Sequence, residues 1–202
     1  MKTVNFAIIL FIIMNAKFRQ RYFLVLISFF ASAAYGQGIN SDWKTELSSS
    51  LQQFLNCQSS STGKSECIQY MGESLKRIYK VNDFYSSKSG RYMTASEISS
   101  YLKESNHWKV IGPSYEQKTL ATAQEMANSG KPVVAVFINS SGIGHVVVIT
   151  PGQLQPSGSW GLNVPNVVSF FPSQPDKSFV DKGLSFAFGK NLMKDIIIYG
   201  RN

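Results

Sequence analysis

The hydrophobic period changes once along this chain, and that change constrains the fold more than any other feature. Ahead of Gly130-Lys131-Pro132 the apolar residues recur three and four apart; beyond it they run together and are β-branched. Ser41 is placed to cap a helix carrying Trp43, Leu47, Leu51, Phe54 and Leu55 and ending near Asn56. A polar loop, Gln58 to Lys64, leads to a second helix capped by Ser65, with Ile68, Met71, Leu75 and Ile78 as its apolar stripe. Thr94 and Glu97 have the spacing of a capping box in front of Ile98, Tyr101 and Leu102. After a turn at Gly112-Pro113, Thr119 is the expected cap of a helix with Leu120, Ala123, Met126 and Ala127, stopped by Gly130. Then Val133 to Ile138 reads as a strand buried on both faces, Ser140 to Gly144 as a turn, and His145 to Thr150 as the return strand of a hairpin. Further strands are expected at 166–171 and 196–199, with Leu184 to Phe188 either strand or short helix. Helices followed by an antiparallel sheet predict an α+β domain.

The first 36 residues read differently. Lys17, Arg19 and Arg21 precede the apolar run Tyr22 to Phe30, and Ala31-Ser32-Ala33-Ala34-Tyr35-Gly36 supplies small residues for cleavage after Ala33 or Gly36. That is the grammar of a secretory signal peptide. A second apolar run, Val4 to Met14, lies upstream, so either Met14 is the true start and 1–13 an over-call, or the two runs form a membrane anchor. Neither run reaches the ~20 apolar residues of a helical span. The expectation is therefore an exported protein, periplasmic or secreted, whose working part is the single domain 37–202. Residues 1–36 hold four of the basic residues and no acid, so the net charge falls from +8 to +4 on their removal. No Lys/Arg cluster of the nucleic-acid type is left, and nucleic acid is excluded as the expected partner.

Two cysteines and two histidines occur in the whole sequence. Cys67 falls at a helix start, where the dipole favours a thiolate, and His145 opens an apolar strand behind Gly144. A thiolate with an imidazole in reach is the equipment of nucleophilic catalysis. A Cys57–Cys67 disulfide, ten residues apart in an exported chain, is the structural alternative and stays open. Cys57 and His107 read as structural or surface residues. The four residues lack C-x₂-C and H-x₃-H spacing, and no phosphate-binding glycine loop occurs, so neither metal nor cofactor is expected.

Cys67 with its following helix, the 94–102 helix leading to Trp108, the strand after Gly130-Lys131-Pro132, and Gly144-His145-Val146-Val147-Val148-Ile149 together resemble NlpC-type papain-like cell-wall cysteine peptidases. They are similar above all to the peptidoglycan amidases exported as antibacterial effectors. The likeness covers most of residues 60–150, with Val164-Pro165-Asn166 and the tail from Ser185 to Tyr199 also similar. Where that family commonly has Asp-Cys-Ser-Gly, this chain has Glu66-Cys67-Ile68-Gln69. The resemblance implies a papain-like fold, with a helical N-terminal part packed on the antiparallel sheet. It implies that Cys67 attacks an amide carbonyl of a peptidoglycan stem peptide, that His145 relays the proton, and that a polar residue on the next strand orients the imidazole. Asn166 and Ser169 are the two candidates for that third place, Asn166 having the better side chain. An immunity or inhibitor protein is the partner such effectors imply. The reading of another class is a non-catalytic, disulfide-bonded exported binding module on the same fold.

Overall fold

The computed structural model describes residues 38–59 and 66–202. The expected signal peptide, the Ser65 cap and most of the 58–64 loop lie outside the described residues. Residues 37–202 form one compact unit. Among the described residues it is a mixed α+β structure with four α-helices and antiparallel strands, and no helix is long and apolar enough to cross a membrane.

Helix α1 spans Trp43–Ser59, three residues beyond the expected stop. Its entry is organised by Asn40 rather than by Ser41: the Asn40 side chain accepts from the Asp42 amide and donates to Glu46 and to the Arg77 carbonyl. The last of these bonds fastens the start of the domain to α2, Gln69–Tyr79. A single 3₁₀ turn, Glu66–Ile68, feeds α2, and the helix ends with Lys80 in the left-handed region. The short strands β1, Tyr85–Ser86, and β2, Arg91–Tyr92, make a hairpin ahead of α3, Ala95–Glu104. There the capping box forms in both directions: Thr94 accepts from the Glu97 amide, and Glu97 accepts from the Thr94 amide.

Between α3 and the next helix lies β3, Trp108–Pro113, a strand where only a turn is expected from the sequence. It is an edge strand with Val110 well exposed, so it lacks the continuous apolar run that marks the buried strands. Helix α4, Gln117–Asn128, starts two residues before Thr119. Thr119 is therefore inside the first turn, buried, with its hydroxyl donating to the Glu116 carboxylate instead of capping. Gly130 takes a positive φ and ends the helix as expected.

The hairpin β4, Val133–Ile138, and β5, Gly144–Ile149, follows with Phe137 opposite His145 and Val134 opposite Val148. A small hairpin, β6 Gln155–Ser157 and β7 Leu162–Val164, precedes β8, Asn166–Ser169, and β9, Phe179–Gly183. The Leu184 to Phe188 segment resolves into a 3₁₀ turn, Leu184–Phe186. The final strand, β10, Ile197–Arg201, inserts between β3 and β4. The main sheet thus runs β3-β10-β4-β5-β8-β9, every neighbouring pair antiparallel.

Successive residues of a strand face opposite sides. Val133 to Val136 and Val146 to Ile149 are all buried, so the centre of the sheet is covered on both faces. Helix α2 packs against β5 and β8, α3 against β3, β4 and β5, and α4 against β3, β10, β4 and β5. The Tyr79 hydroxyl donates to the Ile149 carbonyl at 2.6 Å, tying the end of α2 to β5.

Candidate functional site

Two elements converge on one small cavity of about 90 Å³. From the helical side come Cys67, Ile68 and Met71; from the sheet come Gly144, His145 and Val146, with Met93, Ala95, Phe170 and Pro172 closing it. Cys67 reaches this place because the 3₁₀ turn sets it one step ahead of α2, against the core, where it is buried. His145 reaches it because Gly144 lets the two hairpin strands close: a Cβ on Gly144 would lie 2.0 Å from the Phe137 carbonyl oxygen. The turn itself is braced by Asn139, whose side chain accepts from the Ser141 and Ile143 amides. Ser96, in the first turn of α3, donates to the Gly142 carbonyl and holds the hairpin tip against that helix.

The imidazole is gripped on several sides. Its Nε2 lies 2.7 Å from Ser169 Oγ. Phe171 stacks on it at 4.3 Å between ring centroids, and Phe188 meets it edge-on at 5.6 Å. Phe188 is itself held by Trp160, whose indole N–H donates to the Phe188 carbonyl. The residue keeps some surface, but its ring is enclosed by these aromatics. Desolvation therefore penalises the charged form and lowers the His145 pKa to about 4, so the ring is neutral at pH 7.

The two candidates for the third position separate cleanly. In the β5/β8 register Val148 faces Val168 and Ile149 faces Val167. Continuing it sets Ser169 across from Val147, diagonal to His145 and on the same face. The Asn166 carbonyl instead accepts from the Thr150 amide, at the far end of β5. That is five residues from His145, ~17 Å along a strand, and the odd spacing from Ser169 turns it to the opposite face. Asn166 is buried beside Gly152 and Gln124, and its Oδ1 has no hydrogen-bond partner. Ser169, not Asn166, is the residue brought to the imidazole.

Cys67 is bonded to Cys57, with the two Cα atoms 6.0 Å apart. The α1 helix runs on to Ser59, and this carries Cys57 to the 3₁₀ turn that holds Cys67. In this state the sulfur of Cys67, a residue that lines the same cavity as His145, is a disulfide sulfur, and it becomes a nucleophile only on reduction. Cys57 takes part through that bond. His107 is on the loop before β3, away from the cavity, where its carbonyl accepts from the Asn202 amide. Trp160 is buried beside Phe188, and Phe170 packs edge-on against Phe54.

Sequence reasoning set Phe171 near the His145 strand without assigning it to the imidazole, and it passed over Phe188. For Phe171 a signal existed: the strand expected at 166–171 would set it two residues from Ser169, hence on the same face. For Phe188 none did, because a turn after β9 delivers it. Among the described residues no group of three or more His, Cys, Asp or Glu side chains could hold a metal ion. No protein-family model matches the chain, and no curated protein is significantly similar to it.

Proposed function

We propose that this protein is an exported cysteine amidase or peptidase of papain-like architecture that hydrolyses amide bonds in peptidoglycan stem peptides, with Cys67 in its reduced form as nucleophile. One observation carries the reading. A thiol position at the start of a helix and an imidazole at the start of a strand line the same cavity, and the imidazole is oriented by a hydroxyl on the neighbouring strand. The substrate class comes from the resemblance of Cys67 with its helix and of the Gly144 to Ile149 strand to the NlpC-type enzymes.

In this mechanism His145 takes the Cys67 proton as a general base, and the thiolate adds to the amide carbonyl. A backbone N–H near Cys67 receives the developing oxyanion. His145, now charged, gives its proton to the departing amine, and water then hydrolyses the thioester with the imidazole again as base. The Ser169 contact engages Nε2, so Nδ1 is the nitrogen that serves the sulfur. Ser169 is a positioning residue: it fixes the orientation of the ring, as the third member of a triad does.

The cavity has room for the reacting amide but not for a muropeptide. A shallow groove of about 430 Å³ adjoins it across Met93 and is lined by Ser86, Ser96, Glu97, Ser100, Tyr101 and Glu104. The remainder of a stem peptide would lie there. An inhibitor or immunity protein would work by covering the same groove.

The test is product analysis on purified muropeptides with the reduced protein. New amine and carboxylate termini are expected, with Cys67→Ala and His145→Ala each lowering the rate by at least about 10³-fold. Intact muropeptides after incubation with the folded, reduced chain would refute the reading. The disulfide favours a second reading, a non-catalytic binding module in which Cys57–Cys67 is a staple. That module would bind peptidoglycan without cleaving it in either redox state.

A further inference from the structure

We propose that the Cys57–Cys67 bond is a redox latch: a dithiol reductant opens it at Cys57 and releases Cys67 as a thiolate into the cavity shared with His145. The inference rests on the reading of Cys67 as nucleophile. Its basis is an asymmetry between the two sulfurs. Cys67 is buried, 1% exposed, at the wall of the cavity, whereas Cys57 is only half-buried in the last turns of α1. A reductant therefore meets Cys57 first, and access decides which sulfur of a disulfide is attacked.

The exchange balances as follows. A thiolate of the dithiol attacks Cys57 Sγ, the S–S bond breaks, and its electron pair leaves with Cys67 Sγ. The mixed disulfide on Cys57 is then displaced by the reductant's second thiol, which frees Cys57 and closes the oxidised, cyclic disulfide. The dithiol loses two electrons and the protein disulfide gains them; of its two protons one ends on Cys57 and the other in solvent, which leaves Cys67 as the thiolate. The leaving sulfur is the one at the start of α2, where the helix dipole stabilises negative charge and makes it the better leaving group. Direction is thus built into the site: attack at the accessible sulfur delivers the nucleophile to the inside.

The latch also fits an exported chain. An oxidising compartment would hold the hydrolase off, and thiols met elsewhere would switch it on.

The test uses the full chain in four forms: oxidised, reduced with dithiothreitol, Cys57→Ser, and Cys57→Ser with His145→Ala. Two quantities are read, the iodoacetamide alkylation rate of residue 67 by mass mapping and the rate of muropeptide cleavage. The oxidised chain is expected to show neither reaction. Dithiothreitol should switch on both, and re-oxidation should switch both off. The Cys57→Ser form should show both without reductant, with alkylation roughly tenfold faster than when His145 is also removed. Cleavage by the oxidised chain, with its bond verified, would overturn the latch. So would alkylation of Cys67 that is indifferent to His145 in the opened chain. Reactive Cys67 with uncut muropeptides has a different meaning: the latch stands and the peptidoglycan reading falls. Should Cys57→Ser fold poorly, the dithiothreitol titration of the unmutated chain and of His145→Ala carries the same comparison.

Discussion

At the scale of single residues, the chemistry of the site depends on how His145 is held. Ser169 takes one nitrogen, Phe171 covers a face of the ring, and Phe188 closes its edge. Enclosure of this kind stabilises the neutral imidazole, the form a general base needs. It also couples the site to stability. The folded pKa, about 4, is below the ordinary 6.5, so between those values the unfolded chain binds the proton and the folded chain does not. The stabilisation is therefore complete above pH 6.5 and is lost as pH falls toward 4. Its ceiling is about 3 kcal/mol, reduced by the solvent that reaches the exposed part of the residue. Urea unfolding across that range, compared between the native chain and His145→Gln, is expected to show the excess slope only in the native chain. Equal slopes would mean that the ring titrates as if exposed.

Elements matter here through the hairpin that carries His145. The strands β4 and β5 come together at Gly144, where the space for a side chain is already filled by Phe137 and Ile138. Placing a methyl there forces the strands apart, and overpacking of this kind costs about 1–3 kcal/mol. Gly144→Ala is expected to lower the unfolding free energy by that amount. It should also pull the imidazole away from Ser169, and the ring resonances of His145 would report the change by NMR. Unchanged His145 resonances in a folded Gly144→Ala protein would show that the hairpin tip absorbs the strain elsewhere. The Ser96 bond to Gly142 and the Asn139 bonds inside the turn make that outcome unfavourable, because they hold the tip from both sides.

For the molecule as a whole, the telling feature is that β10 lies inside the sheet between β3 and β4. Arg201, near its end, pairs with Asp83 at 2.7 Å, and Asp83 also accepts from the Trp108 indole at 2.9 Å. One largely buried carboxylate thus joins the segment after α2, the start of β3 and the end of β10. Removing one partner of such a pair strands the other charge, at a cost of roughly 3–5 kcal/mol. Asp83→Ala is expected to lose stability on that order in chemical denaturation. An isosteric Asp83→Asn should lose less, since the amide oxygen can still accept from Trp108. A change within half a kcal/mol for Asp83→Ala would show that the pair is solvated and contributes little.

The sequence alone was enough for whatever is written in neighbouring residues. The capping box at Thr94 and Glu97, the Gly130 stop, the β4/β5 hairpin around its polar turn, and the helix-start and strand-start positions of Cys67 and His145 all rest on signals within a few residues. Such signals survive in an isolated segment. Tertiary structure decided the rest. Ser169 instead of Asn166 meets the imidazole because sheet register and facing, not side-chain suitability, determine who is adjacent. The edge strand β3 exists because β10 returns to pair with it, and no residue within β3 announces that partner. The state of Cys67 was likewise out of reach of local reading, since both a bonded and a free sulfur suit a helix start. Only the extension of α1 to Ser59, which brings Cys57 to that turn, selects the bond, and a choice between distant partners is made by chain packing rather than by local preference.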